Sequence, residues 1–129
     1  MSEPIVFISH FKVKDGNLDG LKQHAQMMVE HIQANKPGTV AFLQYLNEEE
    51  TELSIVHVFP DAEAYDRHLE GVGERAKGAF EFIEPSRREL YGMPSTQALA
   101  MSRPPHGSRM EFHHKPQCMG GYLRFKPRE

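Results

Sequence analysis

The chain has 129 residues, of which 39% are hydrophobic and 26% charged, with a formal net charge of −3. That length holds one core rather than two, so the expectation is a single domain over 1–129, and the composition excludes a disordered chain. The slightly acidic balance excludes the basic footprint of a nucleic-acid-binding surface, the basic tail (Arg124, Lys126, Arg128) being short and mixed with apolar residues. The single cysteine, Cys118, excludes an internal disulfide framework and suits a reducing compartment. No apolar run approaches a membrane span and the N-terminus lacks a signal-peptide layout. A cytoplasmic protein with no membrane and no nucleic-acid partner is expected.

Residues 5–13, IVFISHFKV, alternate with a period of two and read as a first strand. Phe7, Ser9, Phe11 and Val13 share one face, and Val6, Ile8, His10 and Lys12 the other. Lys14-Asp15-Gly16 turns the chain, and Asn17 caps a helix that runs to about Lys36 before Pro37-Gly38. Leu18, Leu21, Ala25, Met28 and Ile32 form its apolar stripe, flanked by His24 and His31 as boundary or solvated positions. Residues 39–47 and 52–59 read as a hairpin of two strands whose acidic link, Glu48-Glu49-Glu50, keeps the tip solvated.

Asp61 then caps a second helix, with Glu63 in the first turn where the helix dipole favours a carboxylate. Ala64, Tyr65, His68 and Leu69 form its inward stripe. Gly71-Val72-Gly73 breaks it, a further helical piece spans about Glu74–Ile83, and a fourth strand covers about Arg87–Tyr91 after Pro85. The order is β-α-β-β-α-β, an α+β ferredoxin-like core over about 5–92. A C-terminal extension from about 93 follows: a short helix after Pro94-Ser95, a loop at 103–107, an extra strand at RMEFHH, and GGYLRF as a strand or arm.

Two histidines flank the corner from third strand to second helix. Alternation places Leu53, Ile55, His57 and Phe59 on one face of the strand. Ala64 and His68, four apart, share one face of the helix, and Ala64 is small enough to let it lie close to a sheet. If that strand face meets the helices, His57 and His68 approach one cavity and could exchange a proton with a phenol, since free imidazoles titrate near working pH. Alternatively His68 bonds a backbone carbonyl at the helix end and His57 lies on the opposite face. Phe7, Phe11, Phe42, Phe59 and Tyr65 line an aromatic slot or form plain core. Tyr91 offers its hydroxyl to the slot or to an intersubunit seam. In the extension, His106, His113, His114 and Cys118 match no standard zinc spacing, and adjacent strand residues point to opposite faces, so no metal site is expected.

The FKVKDG strand end, the long helix, the hairpin and the corner HVFPDAEAYDRH, with its FxDxEAxxxH pattern, resemble the antibiotic biosynthesis monooxygenase family of dimeric α/β-barrel proteins. ELYGMPS, a short helix and GGYLRF resemble a longer subgroup. The resemblance implies a substrate cavity between sheet and helices, with His68 at a helix position that carries a histidine in many members. Ser9 and His57 stand where those members have other groups. Haem-degrading relatives bind iron through a histidine one helix on; that place falls near Gly78, and residues 69–105 contain no histidine.

What the resemblance implies is therefore a cofactor-independent monooxygenase, without haem, acting on a hydroxylated aromatic of the quinol or polyphenol type. His68 would be the base or donor, His57 and Ser9 would orient the substrate, and Phe7, Phe11, Phe59 and Tyr65 would hold its ring. The alternative is a non-catalytic barrel that binds a small apolar ligand or stabilises a partner. In either case one sheet face, carrying Val6, Ile8, Ala41, Leu43, Val56 and Val58, would be left open, which implies a homodimer with the tail crossing to the partner.

Overall fold

Alternation in IVFISHFKV builds the strand on which the sheet is organised. The computed structural model describes residues 3–124. Its elements are β1 (Ile5–Val13), α1 (Leu18–Asn35), β2 (Ala41–Leu46), β3 (Glu52–Phe59), α2 (Ala62–Leu69), α3 (Val72–Ala79), β4 (Ile83–Tyr91), α4 (Thr96–Ser102) and β5 (Glu111–Lys115). The sheet order is β2-β3-β1-β4-β5, with β1 antiparallel to both β3 and β4, and β5 parallel to β4. This is the expected α+β ferredoxin-like core, extended by a crossover through α4 to a fifth strand.

Local chemistry sets the helix starts. Asn17 caps α1 by accepting from the Gly20 amide at 2.9 Å, and Asp61 caps α2 by accepting from the Ala64 amide at 2.8 Å. Gly71 adopts φ +77°, which lets the chain reverse and enter α3 at once. Helix α3 consequently spans Val72–Ala79, starting two residues before and ending four before the expected piece at about Glu74–Ile83, and Ile83 opens the fourth strand instead.

The fourth strand also begins earlier than expected, at Ile83, and it includes Pro85. The ladder slips between His10 and Phe11: His10 faces Arg87 while Phe11 faces Pro85, leaving Ser86 as the extra residue of a bulge. A bulge accommodates a residue without an amide proton. The Ser86 hydroxyl donates to the His10 carbonyl at 3.1 Å. In the extension the extra strand is Glu111–Lys115, whereas residues 121–124 carry no strand; the end of the GGYLRF segment, with Lys126 and Arg128, lies outside the described residues.

Register assigns the faces. Phe42, His57, Phe7 and Leu90 are neighbours in one row across β2, β3, β1 and β4; Gln44, Ile55, Ser9 and Arg88 form the next row. Residues of both rows meet the helices. Tyr65, Phe59, Ile5, Leu69, Leu90 and Ala98 form one buried cluster, and Leu21, Leu53 and Ile83 a second. The other face carries Val6, Ile8, Ala41, Leu43, Val56 and Val58, as the alternation predicts, and no helix among the described residues covers it; Leu43 is 46% exposed.

Candidate functional site

Between the helix-facing side of the sheet and α1, α2 and α3 lies a cavity of about 410 Å³. Phe7, Ser9, Phe11, His57, Tyr65 and His68 all line it. Phe59, expected beside them, does not: it is fully buried behind the cavity, its ring 4.9 Å from Tyr65 and 5.1 Å from His68. It backs the site instead of lining it.

His57 and His68 reach the same space. Their ring centroids are 5.1 Å apart with planes at 76°, and the Phe42 ring lies 5.2 Å from His57. His57 faces the helices because it shares its row with Phe7 and Phe42. Its Nδ1–H donates to the Phe7 carbonyl at 2.9 Å, which leaves a bare lone pair on Nε2. His68 bonds no carbonyl of the described residues; its Nδ1 pairs with the Thr39 hydroxyl at 2.8 Å. When Thr39 is the donor, His68 presents Nε2–H to the cavity, so one ring accepts and the other donates.

Neither ring titrates near neutral pH. Burial, opposed in part by the Phe7 carbonyl and aided by the Arg75 charge, holds His57 down at about 4. Burial, then the charges of His57, Arg75 and Lys36, holds His68 at about 3. The expectation that both imidazoles titrate at working pH is therefore corrected: both are neutral hydrogen-bonding groups at pH 7.

Other lining groups are tied into the surrounding backbone. Burial pushes the Tyr65 phenol up to about 12, and its hydroxyl donates to Ser102 Oγ at 2.5 Å while Ser102 donates on to the Ala98 carbonyl at 2.7 Å. Tyr65 thus offers the cavity its ring, its proton being spent. Arg75 donates to the carbonyls of His68 at 2.5 Å and Glu70 at 2.7 Å, pinning the α2–α3 corner. Arg88 donates through Nη1 to the Ser102 carbonyl at 3.0 Å. The clue to Arg88 was its spacing of two from Leu90, a core residue on the same strand face. His24 is half-buried at the boundary, as expected, but it also lines the cavity, its ring 5.8 Å from Phe82 and its buried Nε2 without a partner among the described residues. His31 is exposed.

In the extension, His114 bonds the Gly92 carbonyl at 3.0 Å and His113 approaches Glu111 at 3.8 Å. Among the described residues, no group of three or more His, Cys, Asp or Glu side chains is arranged to hold a metal ion. No helix among them is long and apolar enough to cross a membrane.

Three solved structures place the fold. MupZ from Pseudomonas fluorescens superimposes with a TM-score of 0.67 at 20% identity, over 94% of this chain and 91% of its own. SnoaB from Streptomyces nogalater, a cofactor-independent oxygenase, gives 0.60 at 17% identity, over 74% of this chain and 97% of its own. A conserved protein from Methanosarcina mazei gives 0.59 at 16% identity, over 68% and 90%. The MupZ overlap extends into the α4–β5 extension. No curated protein matches the sequence significantly. The profile of the antibiotic biosynthesis monooxygenase family matches residues 4–73, which carry β1 through the His57–His68 corner, and the chain belongs to that family.

Proposed function

We propose that this protein is a cofactor-independent monooxygenase acting on a hydroxylated aromatic of the quinol or polyphenol type. The observation that carries the proposal is the edge-to-face pair of neutral imidazoles, His57 and His68, opening onto an aromatic-lined cavity. Likeness in fold to the oxygenase SnoaB supports it. In this reading Phe7, Phe11 and Phe42 hold the ring, and Ser9 and His68 orient it. His57 accepts a hydrogen bond from the substrate hydroxyl at Nε2.

The low pKa of His57 constrains the chemistry. Such an imidazole is too weak a base to ionise a phenol outright. A phenol that has lost an electron, however, is a strong acid, so proton and electron can leave together: the electron to dioxygen, the proton to His57. The phenoxyl radical and the superoxide then combine at a ring carbon bearing hydrogen, and the peroxide anion takes the proton back from His57 to become a hydroperoxide. Loss of water from the peroxide leaves a carbonyl at that carbon. A phenol and O2 thus give a quinone and H2O, with all four electrons supplied by the substrate.

The uncovered sheet face supports a two-fold dimer, sheet against sheet, as the working unit. Oxygen uptake with a panel of phenols and quinols tests the activity. Stoichiometric O2 consumption with quinone formation, lost in His57→Gln, is the expected result. Ligand binding with no oxygen uptake across the panel would favour a non-catalytic ligand-binding barrel.

A further inference from the structure

The cavity contains a charge with no counterpart. Among the described residues lining it there are two guanidinium groups, Arg75 and Arg88, and neither Asp nor Glu. No carboxylate of the described residues lies within ion-pairing distance of either. The two arginines are not equivalent. Arg75 uses both terminal nitrogens on backbone carbonyls of the α2–α3 corner. Arg88 uses Nη1 alone, on the carbonyls of Ser102 at 3.0 Å and Arg103 at 3.5 Å. Its Nε and Nη2 make no hydrogen bond among the described residues and are not sealed from solvent space. They form the edge that pairs with both oxygens of a carboxylate.

Position supports the same conclusion. Arg88 stands opposite Ser9 in the β1–β4 ladder, and Ser9 is buried at 6% exposure with its hydroxyl lining the cavity. His57 is two strands away and one row along. From strand spacing and rise, the two backbones are separated by about 12 Å along that diagonal. An apolar ligand with a hydroxyl at one end and an anion at the other spans the interval. Burying a guanidinium against apolar walls is costly unless an anion answers it, and a surface pair could not supply comparable selectivity.

We propose that the ligand of this cavity is an aromatic acid whose carboxylate docks on the Nε–Nη2 edge of Arg88 beside Ser9, with its hydroxyl at His57. This rests on the reading of the cavity as a substrate site, and it adds the acid group and its anchor.

The test is calorimetric, at pH 7.5, with 6-hydroxy-2-naphthoate and its neutral primary amide as probes. The native chain should bind the acid at least about tenfold more tightly than the amide, as expected for a charge-assisted pair. Arg88→Gln should reduce that preference to less than about twofold, the acid losing much more affinity than the amide; Arg88→Lys should keep part of it. His57→Gln should weaken both probes alike. Equal affinity of the native chain for acid and amide, a preference that survives Arg88→Gln, or no binding of either probe at millimolar concentration would overturn the proposal. Because the measurement needs no turnover, its failure is distinct from a failure to consume oxygen.

Discussion

His57 and His68 meet edge to face with 5.1 Å between ring centroids, and each is held by its Nδ1: His57 to the Phe7 carbonyl, His68 to Thr39. The anchors differ in what they fix. A carbonyl can only accept, so it forces the His57 tautomer; a hydroxyl can donate or accept, so Thr39 leaves His68 free to present either form.

The first prediction follows from that asymmetry. Resemblance to the family puts His68 first as the catalytic group, but only His57 has a lone pair committed to the cavity. His57→Gln should lower kcat for phenol oxidation about 100-fold, the scale of a lost proton acceptor. His68→Asn should act mainly on KM. Thr39→Val should resemble His68→Asn in direction and be milder. Steady-state oxygen uptake separates the two parameters, and a larger kcat loss in His68→Asn than in His57→Gln would reverse the assignment.

The second prediction is the pH dependence of stability. An unfolded histidine titrates near 6.5, whereas in the folded chain His57 and His68 titrate at about 4 and about 3. Between those limits the unfolded state binds protons that the folded state refuses, so stability rises with pH. The contribution is complete above pH 6.5 and declines as pH falls towards 4, by on the order of 3 kcal/mol for His57 alone. Glu89 acts in a lower window: the Tyr91 hydroxyl foremost, then His10 and Arg87, depress its carboxyl, so its share is lost only as pH falls below its ordinary value of 4.5. Thermal melts at pH 7.5 and 4.5 should show a clearly smaller drop for the His57→Gln/His68→Gln double variant than for the native chain. Equal drops would show that the rings are not the source.

The third prediction concerns the open face. Val56 stands between Ile8 and Leu43 in the register, at the middle of the uncovered patch. Light scattering of the native chain at micromolar concentration should give twice the chain mass. Val56→Lys places a charge where a partner sheet would lie, at a cost of several kcal/mol if it is buried there unpaired. The variant should be a folded monomer. A monomeric native chain would refute the dimer.

How much of this was legible in the sequence depends on the range of the interactions. Period-two alternation and the capping residues Asn17 and Asp61 act within a few residues, so the core elements and the FPDAEAYDRH corner read correctly. The start of β4 did not, because Pro85 marks a strand boundary until a partner strand supplies a bulge to hold it. His57 had two possible faces, and only the packing of the helices chooses between them. The depressed imidazoles and the unanswered Arg88 are products of burial. A guanidinium two residues from Leu90 reads as an ordinary strand residue until the cavity around it is known.

The last prediction concerns Gly92, which passes the chain from β4 into the extension. Its φ of +101° strains any other residue, and a Cβ there would lie 2.7 Å from the Pro4 carbonyl oxygen and 2.9 Å from Ile5 Cδ1. The first neighbour is backbone at the start of the central strand, and the second belongs to a fully buried side chain, so neither yields cheaply. Gly16 is the matched control: its φ is +106°, but nothing lies within 4 Å of a Cβ built on it. Gly16→Ala should cost only the backbone strain, about 1 kcal/mol, and Gly92→Ala about 2–4 kcal/mol, the excess being steric overlap. The effect should reach the cavity as well, because the segment after Gly92 leads to α4, whose Ser102 holds both Tyr65 and Arg88. Chemical denaturation of both variants, with affinity for 6-hydroxy-2-naphthoate measured alongside, should show weakened binding in Gly92→Ala only. Equal stability losses would mean that β4 and β1 move apart there at no cost, and that the extension is not braced against the core at this residue.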